Sequence, residues 1–259
     1  MIALAIPFGL AIGLVVGTVG GGGAILALPV LVYVLGEPPG PASTASLVVV
    51  ALAAAVGAGR PALDGKVCWR VALLFAGPAA LGALGGAVLN EQADPKVLVL
   101  SFIPVMLTAA AATWRRACED HEGEEDGLCA VVTARRIAPA GLGVGLLTGF
   151  FGVGGGFVIV PLLTVWLGMR FRRAVATSLV IITLTGLAAL ASHLVAGAGL
   201  ADIGLTAALA GATATGALAG SFVGARLPQA TLGKAFAVMV VAVAAFLLVD
   251  VSLLGGPPG

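Results

Sequence analysis

Apolar residues run along this chain in long, nearly uninterrupted stretches. They lie at about 1–19, 24–36, 42–59, 67–89, 97–114, 137–151, 156–168, 174–196, 203–225 and 231–254. Such runs predict helices, because a transmembrane β-strand alternates polar and apolar positions over about ten residues. At about 1.5 Å per residue, eight of the ten can span or nearly span the ~30 Å hydrocarbon core of a bilayer. The stretches 24–36 and 156–168 cannot, since thirteen residues of helix reach only about 20 Å. The longest polar segment, 115–136, divides the chain into 1–114 and 137–259.

The two short stretches occupy matching places in these parts. Gly13, Gly17, Gly20, Gly22, Gly23 and Pro29 recur as Gly145, Gly149, Gly152, Gly154, Gly155 and Pro161, each offset by 132 residues. The same offset lays Ala42-Ser43-Thr44-Ala45-Ser46-Leu47-Val48 over Ala174-Val175-Ala176-Thr177-Ser178-Leu179-Val180. Further on, Gly82-Ala83-Leu84 resembles Gly216-Ala217-Leu218. A register held from residue 13 to residue 48 reads as an internal duplication.

Positive charge then orients the parts. Arg60, Lys66 and Arg70 lie in the third loop region, and Arg115, Arg116, Arg135 and Arg136 flank the central segment. Arg170, Arg172 and Arg173 follow the second short stretch, and Arg226 and Lys234 lie in the loop region 226–234 at the start of the last run. The segments 36–41 and 197–202 carry no Lys or Arg, and 90–96 carries only Lys96. With positive loops facing the cytoplasm, equivalent loops of the two parts fall on opposite sides. The expected fold is therefore an all-α polytopic membrane protein of two inverted-topology repeats, with short broken or re-entrant helices at glycine-rich breaks. The repeats are 1–114 and 137–259, joined by a polar cytoplasmic linker at 115–136.

Composition narrows the class further. Charged residues make up 10% of the chain, hydrophobic residues 60%, and the mean hydropathy is +1.15. A soluble domain is usually about 25% charged, and a disordered chain is poor in apolar residues. A net charge of +1 and the lack of a basic run with interleaved aromatics argue against nucleic acid as a partner. The first apolar run has no Lys or Arg before it, so it is expected to belong to the mature protein rather than to a signal peptide. Cys68, Cys118 and Cys129 show no disulfide framework and are expected to be reduced cytosolic thiols. Cys118, His121 and Cys129 match no common zinc spacing, so no metal and no cofactor is expected.

Chemistry concentrates at the glycine breaks. Gly20-Gly21-Gly22-Gly23 and Gly152-Val153-Gly154-Gly155-Gly156 interrupt apolar sequence, and each then opens a short helix. Consecutive glycines unwind a helix and admit close approach of backbone to a ligand. The first N–H groups of the helix that follows lack internal partners, which suits an anion. Gly13, Gly17, Gly145 and Gly149 fit helix packing through small residues instead. Ser43, Thr44, Ser46, Thr177 and Ser178 begin the next helix in each part, where hydroxyls either cap, bond between helices or meet a ligand oxygen. His193, the one histidine in an apolar run, is a substrate or proton-coupling candidate or else an interfacial side chain. Arg60, Arg170, Arg172 and Arg173 orient the chain, with an electropositive cytoplasmic vestibule as the alternative reading. No cluster of acid, base and nucleophile lies in the apolar runs, which argues against an enzyme.

The pattern G-x-x-x-G-x-x-G-x-G-G, then an apolar stretch with Pro, then A-x-x-T-S-L, resembles the sulfite exporter TauE/SafE family of membrane permeases. Gly145 through Pro161 to Ala174-Val175-Ala176-Thr177-Ser178-Leu179 matches best. The first part matches from Gly13 to Pro29 and departs at Ala45, where the family pattern has Thr, although Thr44 stands beside it. The resemblance implies a cytoplasmic-membrane permease for a sulfur-containing anion such as sulfite, sulfoacetate or another sulfonate. Alternating access around a midplane site is the leading mechanism. A passive anion channel on the same scaffold and, more remotely, an intramembrane enzyme are the alternatives. The expected partners are the small anion and the lipid bilayer, with homo-oligomerisation left open.

Overall fold

A computed structural model describes residues 2–90, 95–119, 129, 134–151, 156–195 and 202–249. Every regular element among them is helical. Helix α1 spans Ile2–Val19, and a 3-10 turn at Gly21–Gly23 leads into the short α2 at Ala24–Pro29. Then follow α3 (Pro39–Leu63), α4 (Trp69–Asn90), α5 (Pro95–Glu119) and α6 (Ala134–Phe151). The short α7 (Gly156–Pro161) precedes α8 (Phe171–Val195), α9 (Ile203–Arg226) and α10 (Gln229–Val249). Among the described residues, five helices are long and apolar enough to cross a bilayer: α3, α4, α8, α9 and α10. Boundaries follow local chemistry. Pro39 opens α3 within its first turn, where a missing N–H costs nothing. At α9 the Asp202 carboxylate accepts from the N–H groups of Gly204 (2.8 Å) and Leu205 (3.4 Å).

The two short helices share one backbone plan. Each ends at a proline, Pro29 or Pro161, and continues as a wider π turn, Val30–Val34 or Leu162–Trp166. A proline lacks the N–H that would bond four residues back, so the ladder beyond it is free to widen. The Leu35 N–H then donates to Val30 (3.0 Å) and that of Leu167 to Leu162 (3.3 Å). The Glu37 N–H donates to Leu31 and that of Met169 to Leu163, both at 3.0 Å. Gly36 (φ +69°) and Gly168 (φ +64°) close these ends in the left-handed region that glycine tolerates. Every pair stands 132 residues apart, so the register seen in the sequence recurs as geometry.

Packing recurs in the same way. Helix α1 lies along α9, and α6 lies along α4. Gly13 and Gly17 abut the backbone of Thr213 and Ala217, while Gly145 and Gly149 abut that of Ala79 and Ala83. In return, Gly216 and Gly220 meet Leu10 and Leu14, and Gly82 and Gly86 meet Leu142 and Leu146. The first helix of each part therefore packs on a helix of the other part. Small residues allow this approach, and in lipid such contact takes the place of a hydrophobic drive between helices. Aromatic edges hold the short segments against the bundle: Phe102 of α5 on Phe157 of α7 (5.1 Å between centroids) and Tyr33 on Phe246 of α10 (5.9 Å).

Neighbouring glycines on α6 differ in what they meet. A Cβ on Gly143 meets nothing within 4 Å, whereas one on Gly145 runs into the Ala79 backbone. Gly143→Ala is therefore expected to leave the unfolding temperature unchanged or raise it, since Ala is favoured over Gly by about 1 kcal/mol in a helix. Gly145→Ala is expected to lower stability by about 1–3 kcal/mol through overpacking. Thermal unfolding of the two purified variants checks the contrast.

One expectation is corrected here. Cys68 and Cys129 are not separate thiols but form a disulfide (S–S 2.07 Å, Cα–Cα 5.7 Å), leaving Cys118 as a free, exposed thiol. Cys68 stands just before α4 and Cys129 just ahead of α6, and these helices pack side by side. Their starts are brought together although 61 residues separate the cysteines. Spacing along the chain carried no sign of that. Thiol titration of unreduced protein should find one reactive cysteine and, after reduction, three. Three reactive thiols without a reductant would contradict the bond.

Candidate substrate site at the glycine breaks

The first break is built by its own backbone. The Gly20 N–H closes α1 on the Val16 carbonyl (2.9 Å), and Gly20 itself turns to φ +83°. A side chain would be strained in that conformation. The 3-10 turn Gly21–Gly23 then redirects the chain into α2. Gly23 packs back against Ile12 and Val16 of α1. Gly22 lies in the turn between them.

The groups facing Gly20 and Gly21 come from α7 and α8. Gly21 and Gly156 are in direct backbone contact, and a Cβ on either would collide with the other's Cα and carbonyl. Gly20 faces the Ser178 hydroxyl, Val160 of α7 and Val175 of α8. Gly156 also approaches the Ile182 side chain. The structure thus joins Gly20, Gly21, Gly156 and Ser178, which the sequence placed in two separate motifs. Gly152, Gly154 and Gly155 lie outside the described residues.

The hydroxyls divide by partner. Ser178 is fully buried and donates to the Val175 carbonyl (2.8 Å), which leaves its oxygen lone pairs beside Gly20. Thr177 is fully buried and accepts the Cys68 N–H (3.1 Å), fastening the start of α4 to α8. In the first part Ser46 donates to the Ser43 carbonyl (2.8 Å), and Thr44 is fully buried on α3. The atoms nearest Gly20 and Gly21 come from α7 and α8. His193 lies near the end of α8, and its side chain is outside the described residues.

Cationic side chains tie together one end of the bundle. Arg172 donates through Nη2 to the Leu227 carbonyl (2.7 Å), and Arg116 donates to that of Val165 (3.4 Å). Arg173 reaches Cys129 Sγ (3.5 Å), next to the disulfide. Arg60 stacks over the Phe222 ring at 4.1 Å. Segments that charge assigns to a single face of the membrane are therefore in mutual contact. The sequence did not disclose that Val160 and Val175 would face Gly20, or Ile182 Gly156. They are ordinary apolar positions, and no motif marks them.

Comparison with known proteins bears on the whole bundle. The family described as Sulfite exporter TauE/SafE matches residues 5–247. A probable membrane transporter protein of Xylella fastidiosa (strain Temecula1) is 34% identical over 183 residues, covering 68% of this chain and 67% of that protein. A probable membrane transporter protein of Methanocaldococcus jannaschii is 28% identical over 214 residues, 74% of each chain. The probable membrane transporter protein YdhB of Bacillus subtilis is 25% identical over 171 residues, 66% of this chain and 70% of its own. No solved structure matches.

Proposed function

We propose, since the chain belongs to the sulfite exporter TauE/SafE family and is a multi-pass membrane transporter, that it is a secondary transporter of a small sulfur-containing anion. Sulfite, sulfoacetate and other sulfonates are the candidates. The anion binds where the two glycine breaks meet, and alternating access exposes that place to each side in turn. The observation that carries this reading is the backbone contact of Gly21 with Gly156, flanked by Gly20 and Ser178.

Helix interruptions inside an apolar bundle expose polar backbone, which hydrocarbon does not tolerate unless the groups are buried in protein or line a polar cavity. Two interruptions converging from two repeats concentrate N–H donors at one point. No carboxylate or lysine from an apolar run is needed to hold the anion there. The inverted orientation of the repeats, read from the charges, supplies the exchange of roles between the two sides. Gly152, Gly154 and Gly155 complete the second break, and Thr177 holds α8 in place against α4. Ser43, Thr44 and Ser46, at the start of α3, remain candidates for the same anion from the first part. His193 is kept as a coupling candidate.

Purified protein in liposomes provides the test. Labelled sulfoacetate or thiosulfate is expected to enter with saturable kinetics and to show counterflow, the transient accumulation driven by unlabelled anion inside. Linear, non-saturating flux without counterflow would identify a channel, and no flux of any sulfur oxyanion under any ion gradient would dismiss the proposal.

A further inference from the structure

A second polar feature lies beside the glycine breaks and is not used by the site just described. A cavity of about 50 Å³ is lined by Gly17 and Thr18 of α1, Arg60 and Asp64 at the end of α3, Lys66, Arg172 and Val175 of α8, and Ser221 of α9, among others. Three cations face one carboxylate. Lys66 meets Asp64 at 3.3 Å and Arg60 meets it at 4.0 Å, so Asp64 is shared and two positive charges stay uncompensated. Arg172 is anchored by Nη2 on the Leu227 carbonyl, which holds its guanidinium in the cavity wall. Guanidinium and ammonium groups in excess of carboxylates are met most strongly by an oxyanion, through charge-assisted hydrogen bonds.

The hydroxyls in the wall do not compete for this role. Thr18 donates back to Leu14 (2.9 Å), and Ser221 donates to Leu218 (2.8 Å). The volume also constrains the ligand. About 50 Å³ exceeds the roughly 10–15 Å³ that one ordered water needs and suits one small oxyanion rather than a bulky organic anion. The cavity adjoins the glycine break: Thr18 lies two residues before Gly20, and Val175 both lines the cavity and touches Gly20.

We infer that this cavity is an entry site for a small doubly charged oxyanion, held by Arg172, Arg60 and Lys66 on the positively charged face and opening toward Gly20. The inference rests on the transporter reading for its purpose, but not for its existence as a binding site. Thiosulfate is the probe. In full-length protein in nanodiscs of zwitterionic lipid, equilibrium dialysis with labelled thiosulfate is expected to show binding that weakens at least tenfold in Arg172→Gln and in Lys66→Gln. Arg172→Lys should recover part of it, and Arg115→Gln, outside the cavity, should bind as wild type. In liposomes the same Arg172→Gln change should raise KM at least tenfold for anion presented at the positive face, with maximal rate and opposite-face KM within about twofold.

Folding of each variant is checked by its unfolding temperature, and Lys66→Gln, in the loop after α3, stands in if Arg172→Gln does not fold. Absence of thiosulfate binding to the wild type, or binding indifferent to both substitutions, overturns the entry site. Loss of thiosulfate binding when anionic lipid is added would give the cavity to a lipid phosphate and overturns it equally. Binding that behaves as expected without any flux retains the entry site and dismisses the transport reading instead.

Discussion

Gly21→Ala is expected to abolish transport, with a fall of about 100-fold or more in flux, while the protein remains folded. The Cβ would collide with the Cα, C and O of Gly156. Those are backbone atoms that cannot rotate aside as a flexible side chain can. The two breaks must therefore move apart, and a misplacement of about 1 Å at a working centre costs about 100-fold. The stability cost should stay near the 1–3 kcal/mol of an overpacked site, because the contact is confined to one turn. Gly156→Ala should behave alike, since it meets Gly21 from the other side and the Ile182 side chain as well. Gly57→Ala, whose Cβ would make only ordinary contacts of 3.6–3.7 Å, is the matched control and should transport normally. Flux in liposomes beside thermal unfolding of the three variants separates loss of function from loss of fold.

Gly17→Leu and Gly145→Leu should fail at an earlier stage, giving little folded protein. Both glycines sit where one helix lies against the backbone of another, Gly17 of α1 on Ala217 of α9 and Gly145 of α6 on Ala79 of α4. A leucine there holds α1 off α9 or α6 off α4 along much of their length. Association of helices in lipid depends on close packing, so separation removes the stabilising contact itself. The expected readout is a loss of the monodisperse peak in size-exclusion chromatography of detergent extracts. Gly143→Leu, placed where a Cβ meets open space, should keep that peak. Equal behaviour of Gly143→Leu and Gly145→Leu would refute the packing role.

Much of this architecture was legible because it follows from periodicity and from scarcity of charge. The lengths of the apolar runs gave the helices, and the two thirteen-residue runs became α2 and α7 with their π turns. The glycine register gave the recurrence of geometry at Gly36 and Gly168, and of packing at Gly13 and Gly145. What the sequence withheld is contact between distant segments. The disulfide joins positions 61 residues apart, and its formation depends on α4 and α6 starting side by side. Of the hydroxyls expected at the breaks, Ser178 reaches Gly20, a contact between α8 and the first break that spacing along the chain does not disclose. The positive residues were read chiefly as orientation signals. The pairing of Arg60 and Lys66 with Asp64 is local to the end of α3, but their meeting with Arg172 of α8 around one cavity is a tertiary event that no loop count reveals.

The claim that the anion binds where the breaks meet is tested most directly at Ser178, whose hydroxyl lies beside Gly20. With Cys118 replaced by Ser and the Cys68–Cys129 bond left intact, Ser178→Cys supplies a single reactive thiol at that point. A small charged thiol reagent applied during turnover should label it, and saturating sulfoacetate should slow labelling at least fivefold, with half-protection at the KM for transport. Labelling at an unchanged rate under saturating substrate, in a variant that still transports, would contradict the placement of the anion between the glycine breaks.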